Sequence, residues 1–538
     1  MTNSVSLTLQ GVSYQLPDGR LLFSQLNEQF DDQPTGLVGR NGIGKSVLAR
    51  ILAGELTPTS GRCQRIGTVH YLAQQISPQP DQTVADLVGV SAIIDALDNI
   101  ESGSTRQQDF DAVGDRWNIR TELQRELAIN RLDYLQEHTP ATQLSGGEAM
   151  RVALIGAFLS GAEMLILDEP TNHLDRDNRR ALLDQLQRWT GGLIVVSHDR
   201  ALLDTMKRTV ELSSFGLRSY GGGYSFYAET KAHEREAALQ QLELRKTERK
   251  REEALLTQQR ERLDKQQARG SKKASEANQA PILLGLQKSR SQVSGGKLRA
   301  RQKATREALS LQVMEASRKV ERDAEIVLLN TESDLSLPDK VVELLDVTLP
   351  HIHGPHQKID LLINKAQRIG LIGPNGSGKS TLLKVLAGRL APVSGQREVF
   401  VETAYLDQHL SVLDPETSIL DQMLVANTGI EEGKLRSRLA LLGLDVDRIR
   451  LPTCMLSGGE RLKAAIAKVL YADKPAQLLL LDEPCNHMDL ASVEALESML
   501  RQYQGPLIVV SHDESFLDNI ELTQRLQPSQ SGWSMTEY

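Results

Sequence analysis

Apolar residues along this chain fall into short unbroken runs, each stopped by a glycine turn or an acidic residue: GLVG (36–39), MLILDE (164–169) and GLIVVSHD (192–199). Runs of this kind, without polar alternation, mark strands buried on both faces of a parallel sheet. Helical spacing follows them, as in KSVLARILAG (45–54) and GGEAMRVALIGAFL (146–159). The alternation predicts an α/β fold with a mostly parallel sheet covered by helices. No apolar run approaches the ~18–20 residues of a membrane span. The start, MTNSVSLTLQ, lacks the basic-then-apolar pattern of a secretion signal. A cytoplasmic protein without membrane insertion is therefore expected.

The pattern occurs twice. GLVGRNGIGKSVLARILAGELTPTSG (36–61) returns as GLIGPNGSGKSTLLKVLAGRLAPVSG (370–395), and YLAQ ending at Gln74 returns as YLDQ ending at Gln408. LSGGE at 144–148 returns at 456–460, LILDEPTNHLD (165–175) as LLLDEPCNHMD (479–489), and GGLIVVSHDR (191–200) as GPLIVVSHDE (505–514). Five matches in one order mean two copies of one domain. Lys45 to Lys379 spans 334 positions, whereas Ser145 to Ser457 spans 312, so the first copy carries about 22 additional residues between its glutamine and its LSGGE.

Two stretches fit G-x-x-x-x-G-K-[ST]: Gly39, Asn41, Gly42, Gly44, Lys45 and Ser46, followed by Val47, and Gly373, Asn375, Gly376, Gly378, Lys379 and Ser380, followed by Thr381. Glycines let backbone N–H groups converge on phosphate oxygens, and the next helix start favours negative charge. Lysine would reach the β- and γ-phosphates, and the serine hydroxyl would ligate Mg²⁺. Four apolar residues then lead to Asp168-Glu169 and again to Asp482-Glu483, placing two carboxylates at a strand end. The aspartate suits the Mg²⁺ shell; the glutamate suits orienting or deprotonating water. His198 and His512, at the next strand end, are candidates for contacting the γ-phosphate. Alone, a strand-ending Asp-Glu is usually a solvated turn and a single histidine usually structural; recurrence in step with the phosphate loop favours chemistry. Ser145-Gly146-Gly147 and Ser457-Gly458-Gly459 precede helices, a second anion-binding start in each copy. Such a second site is useful if it faces the other copy's nucleotide; otherwise it is a glycine-rich cap.

Phosphate loop, glutamine, LSGGE, strand-ending Asp-Glu, D-loop and switch histidine, in that order, resemble the ATP-binding cassette ATPases over about 5–228 and 340–530. The resemblance implies two P-loop NTPase domains pairing within one monomer, with ATP and Mg²⁺ at two composite sites. Lys45, Ser46, Gln74, Asp168, Glu169 and His198 would face Ser457, Gly458 and Gly459. Lys379, Ser380, Gln408, Asp482, Glu483 and His512 would face Ser145, Gly146 and Gly147. The metal would fall to Ser46, Gln74 and Asp168, and to Ser380, Gln408 and Asp482; catalysis would fall to Glu169, Glu483, His198 and His512. Val47 and Cys485 stand where the family usually has threonine. Leu16 and His351 hold the place of its adenine-stacking aromatic, which leaves ATP-over-GTP strictness open. Tandem cassettes, a long linker and an extra arm in the first cassette, here within about 88–130, are similar to the ABC-F subgroup, whose members act on ribosomes.

The expected domains are 1–228, a linker at 229–325, and 326–538. From 228 to 268 the linker is rich in helix formers without Gly or Pro, which predicts a helix of about 40 residues, roughly 60 Å long. A second helical run at about 298–325 would complete a hairpin. Composition changes this picture through charge. The 538 residues carry 62 Lys+Arg and 70 Asp+Glu, a net of −8, which taken whole argues against a polyanion partner. Residues 231–320 alone hold 22 Lys+Arg against 11 Asp+Glu, leaving −19 on the remainder. A basic element this localised is the footprint of nucleic acid. No Phe, Tyr or Trp lies between Tyr227 and position 340, so contacts would run to phosphates. The candidates are Arg262, Lys265, Arg269, Lys272, Lys273, Lys288, Arg290, Lys297, Arg299, Arg301 and Lys303. The partner implied is the ribosome, with its rRNA and tRNA; a role in translation or in antibiotic resistance follows, and Pro281–Leu286 at the tip has no assigned role. A transporter's ATPase subunit and a DNA-associated cassette ATPase are the rival readings.

Overall fold

A computed structural model describes residues 5–172, 174–276, 303–315, 317, 337–427, 429–486, 488–529 and 532–538. The chain divides into two compact units: Met1–Phe226 with Ala324–Tyr538, and Tyr227–Asp323.

In the first copy a six-stranded sheet runs in the order Val69–Leu72, Met164–Asp168, Gly192–Val196, Thr35–Val38, Arg208–Ser213 and Gly216–Tyr220. All neighbours pair in parallel except the last, which turns back antiparallel. Met164–Asp168 is buried at every residue, as a strand covered on both faces must be. The second copy repeats the order with Thr403–Leu406, Leu478–Asp482, Leu507–Val510, Arg368–Leu371, Gln524–Ser529 and Gly532–Glu537. Each copy adds a three-stranded antiparallel sheet, Leu21–Phe30, Ser6–Gln15 and Ser60–Ile66 in the first. Leu7, Leu9 and Phe30 of that sheet share a core with Leu48 and Ile51 of the helix Lys45–Ala53 and with Ile166 and Ile194 of the central sheet. Both phosphate loops thus leave the carboxyl end of a central strand, where open α/β sheets place their ligands.

The copies differ beside this frame. Isolated bridges Thr83–Pro140 and Ser418–Pro452 bracket corresponding segments. In the first copy that segment holds the helices Val84–Val88, Ser91–Glu101, Gln107–Val113 and Ile119–Ile129; in the second it holds Ile419–Ala426 and Glu432–Leu441. Ile94, Leu97, Val113 and Ile119 bury against Val152 and Ile155 of the helix Gly146–Leu159. Gly156 permits the contact, since a Cβ there would lie 2.7 Å from the Val88 carbonyl oxygen.

The other unit is built on a helix, Tyr224–Glu276, of 53 residues, about 80 Å at 1.5 Å per residue. It begins before, and ends beyond, the limits read from sequence. It continues through Arg269-Gly270 because one interior glycine costs only ~1 kcal/mol and good helix formers lie on both sides. Residues 303–315 are helical as well. Arg306 Nε lies 3.7 Å from Glu253 Oε1, so the chain doubles back. Pairs one turn apart line the long helix: Lys246–Glu243, Arg245–Glu248 and Arg249–Glu253. Pro281–Leu286 lies outside the described residues.

Candidate functional site

The phosphate loops owe their shape to backbone that only glycine adopts easily. Gly39, Gly42 and Gly44 have φ of 153°, 75° and 106°, and Gly376 and Gly378 have 77° and 94°. A Cβ on Gly39 would stand 2.4 Å from the Leu212 carbonyl oxygen. The lysines lie across their own loops: Lys45 Nζ donates to the carbonyls of Gly39 and Arg40 (2.7 and 3.1 Å), and Lys379 Nζ to those of Gly373 and Pro374 (2.8 and 2.9 Å). Burial lowers the pKa of both ammonium groups, and Glu169 and Glu483 oppose that shift. Ser46 and Val47, like Ser380 and Thr381, sit in the first turn of the helices that follow.

At the strand ends, Asp168 and Asp482 are buried. The Ser380 hydroxyl is 3.1 Å from Asp482 Oδ1, joining loop and strand end. Tyr405 donates to Asp482 Oδ2 at 2.9 Å, and Tyr71 to Asp168 Oδ2 at 3.2 Å. Asp168 likewise faces Ser46 and Tyr71, so in each copy a loop serine and a strand-end carboxylate stand together as oxygen donors for a cation. Among the described residues no three or more His, Cys, Asp or Glu gather into a metal cluster. One carboxylate and a serine hydroxyl suit Mg²⁺, which completes its shell with water and phosphate oxygens.

The next residues, Glu169 and Glu483, adopt φ of 52° and 50°, strained for side chains of their type. Glu169 is held there by its N–H donating to the Val196 carbonyl at 2.8 Å, and Glu483 by the same bond to Val510 at 3.0 Å. Burial raises both carboxyl pKa values; Lys45 and Lys379 pull them down. His198 Nε2 is 3.5 Å from Glu169 Oε1, and His512 Nε2 is 3.4 Å from Glu483 Oε1. Burial lowers both imidazole pKa values, that of His512 to about 4, so the rings are neutral at pH 7. Their Nδ1 atoms are buried without partners.

Each loop is also touched by the opposite copy. The Asn41 N–H donates to Asp489 Oδ2 at 2.8 Å, and the Asn375 N–H to Asp175 Oδ2 at 3.4 Å. Both aspartates simultaneously cap the helices that follow them. A cleft of about 430 Å³ opens here, lined by Asn41, Lys45, Ser46, Gln74, Asp168, Glu169 and His198 with Glu483, Cys485 and Asn486 of the other copy. Leu16, Arg20 and Leu22 close one side, and among the described residues no Phe, Tyr or Trp lines it. Tyr14 instead packs on Phe23, ring centroids 6.3 Å apart.

Ser145, Gly146, Gly147, Ser457, Gly458 and Gly459 do not line this cleft. Ser145 and Ser457 are N-caps in reciprocal boxes with Glu148 and Glu460, and Gly459 packs against Ser492. Gln408 is exposed just past Thr403–Leu406, and His351 is exposed with φ 61°. Of the basic linker residues, Arg262, Lys265, Arg269 and Lys303 are exposed. Lys272 and Lys273 lie on the long helix, and Lys288, Arg290, Lys297, Arg299 and Arg301 lie outside the described residues. Sequence reasoning assigned no role to Tyr71, Tyr405, Asp175 or Asp489. Recurrence within the repeated segments marked all four, and the D-loop of the family pattern marked the stretch that ends in Asp175 and Asp489.

The ABC transporter family model matches residues 28–172 and 356–486. The chain is 33% identical to the ATP-binding protein Uup of Haemophilus influenzae, over 90% of this chain and 72% of that one. It is 31% identical to the tylosin resistance ATP-binding protein TlrC of Streptomyces fradiae, over 95% of both. In fold it is similar to an archaeal ribosome recycling factor, aABCE1, with a TM-score of 0.55 and 18% identity over 98% of this chain and 89% of that one. Two matched cassettes and relatives spanning nearly the whole chain give its place: it is an ATPase of the ABC-F subfamily of ATP-binding cassette proteins.

Proposed function

We propose that the two cassettes close on two Mg²⁺-ATP molecules, and that the closed protein binds the ribosome through its basic linker and acts on translation. The observation that carries this reading is the reciprocal reach of Asp489 and Asp175 to the opposite phosphate loops, beside a linker region of net +11 (22 against 11 between 231 and 320). Loop amides and Lys45 or Lys379 bind the phosphates. Ser46, Gln74 and Asp168, with Ser380, Gln408 and Asp482, would hold Mg²⁺, which when bound neutralises charge on the β- and γ-phosphate oxygens. Glu169 and Glu483 orient water and, in their ionised form, take up its proton; the neutral His198 and His512 present a ring nitrogen to the γ-phosphate. In the closed form Ser145 and Ser457, with their glycines, complete the opposite sites.

Phosphate contacts by Arg262, Lys265, Arg269, Lys272, Lys273 and Lys303, and by Lys288, Arg290, Lys297, Arg299 and Arg301, would make ribosome binding steeply salt-dependent. Hydrolysis would open the cassettes and release the protein. Similarity to the tylosin resistance protein TlrC over 95% of both chains favours antibiotic resistance by ribosome protection as the form this takes; a housekeeping translation factor is the second reading. Such a protein works as a cytoplasmic monomer, and no described helix is long and apolar enough to cross a membrane. The test is co-sedimentation of the Glu169→Gln/Glu483→Gln variant with ribosomes in ATP. Retention on ribosomes, lost at high salt, is expected; a variant that stays in the supernatant overturns the proposal. Drug susceptibility with and without the protein separates its two forms.

A further inference from the structure

The two sites share their phosphate loops, strand-end acids, histidines and cross-cassette aspartates, but not what the opposite cassette places behind the histidine. One turn beyond Asp175, Arg179 of the first cassette donates from Nη1 to the backbone carbonyl of His512 at 3.1 Å. Its Nε pairs with Asp199 Oδ2 at 3.2 Å, which fixes the guanidinium between the cassettes. The corresponding position, four residues after Asp489, is Val493. It has no polar side chain, and among the described residues no cation of the second cassette donates to the His198 carbonyl.

We infer that Arg179 is a positioning residue acting across the interface on the second nucleotide site, and that the first site turns over without an equivalent. This rests on the reading of Glu483 and His512 as catalytic. The carbonyl Arg179 holds belongs to the residue whose ring lies 3.4 Å from Glu483, so the guanidinium sets where that ring stands. The groups around His512 are Lys379, Glu483 and Asn375 of its own cassette, and Arg179 and Asp175 of the other. Arg179 is the one cation among them supplied in trans. Arg179 also lines the first cassette's cleft, but there it meets only Asp199 of its own cassette, whereas at the second site it holds the backbone of the switch histidine from across the interface.

Two full-length backgrounds isolate the sites: Glu169→Gln leaves the second active, and Glu483→Gln leaves the first. In the Glu169→Gln background, Arg179→Val should lower kcat about tenfold, with KM for ATP within about twofold, because positioning is lost while phosphate binding is kept. Arg179→Lys should recover part of the loss, since an ammonium can still donate to the carbonyl. In the Glu483→Gln background Arg179→Val should lower kcat of the first site by no more than about twofold, since there Arg179 meets Asp199 and holds no switch-histidine carbonyl. Equal loss at both sites, a rise in KM alone, or no rescue by lysine overturns the inference. If the Glu169→Gln/Glu483→Gln protein still hydrolyses ATP, the catalytic reading itself fails, and that result is independent of Arg179.

Discussion

Placed side by side, the two cassettes agree in their phosphate loops, strand-end acids and switch histidines and differ in the charged residues that follow those histidines and meet the opposite cassette. Residues 200 and 514 follow the switch histidines at the same distance, yet one is arginine and the other glutamate. Each finds its opposite on the helix after the other cassette's aspartate: Arg200 with Glu497 at 2.6 Å, Glu514 with Arg176. Two first cassettes would set Arg200 against a helix carrying Arg176, Arg179 and Arg180, and two second cassettes would set Glu514 against Glu494 and Glu497. Duplication preserved the sites and made the faces complementary, so the chemistry reads as symmetric while the interface is directional.

The largest test of this comparison is aimed at what the halves share. Glu169→Gln with Glu483→Gln should lower ATP hydrolysis by about 10²–10⁴-fold, and each single variant should leave the other site working. Steady-state phosphate release checks this; unequal single variants would show that the symmetry is only geometric.

The next is aimed at what they do not share. Arg200 and Glu497 are both buried, so Arg200→Glu leaves two buried carboxylates face to face. It should cost about 3–5 kcal/mol, read as a fall in thermal midpoint. The reversed pair, Arg200→Glu with Glu497→Arg, should restore most of it. Arg176 and Glu514 are 40% and 53% exposed, and removing that pair should cost no more than about 1 kcal/mol.

Most of what the halves share was legible in the sequence, because a phosphate loop, a buried strand and a strand-ending carboxylate are local patterns that duplication prints twice. The pairing of Arg200 with Glu497 was not, since it joins residues 297 apart and breaks the repeat instead of following it. Tyr71 and Tyr405 stood inside a repeated motif, but an aromatic ending a strand looks the same whether it packs or holds an aspartate. The αL backbone of Glu169 and Glu483 is imposed by neighbouring strands, and no local signal marks it. The long helix was legible in kind but not in extent, because its end turns on whether one glycine outweighs its neighbours.

A smaller effect separates stability from catalysis. Burial raises the Glu169 carboxyl above its unfolded value, so the folded protein holds a proton that the unfolded chain releases as pH climbs past the ordinary carboxyl range. Stability from this group is present at low pH and lost as pH rises toward the raised value. Glu169→Gln should therefore raise the thermal midpoint by about 2–4 °C at pH 8 and hardly at all at pH 5. Smaller still, Tyr71→Phe and Tyr405→Phe should each cost about 1 kcal/mol, Tyr405 the more, since its bond is shorter and buried.

The central claim is that each nucleotide site is built from both cassettes, and Asp489 tests it most directly. Asp489→Ser keeps a side-chain cap for the helix Leu490–Gln502 but is too short to reach the Asn41 amide. Measured in the Glu483→Gln background, where only the first cassette's site turns over, this change in the second cassette should lower ATP hydrolysis about tenfold. An unchanged rate there would mean that the first site works without its neighbour, and the account of a shared site would be wrong.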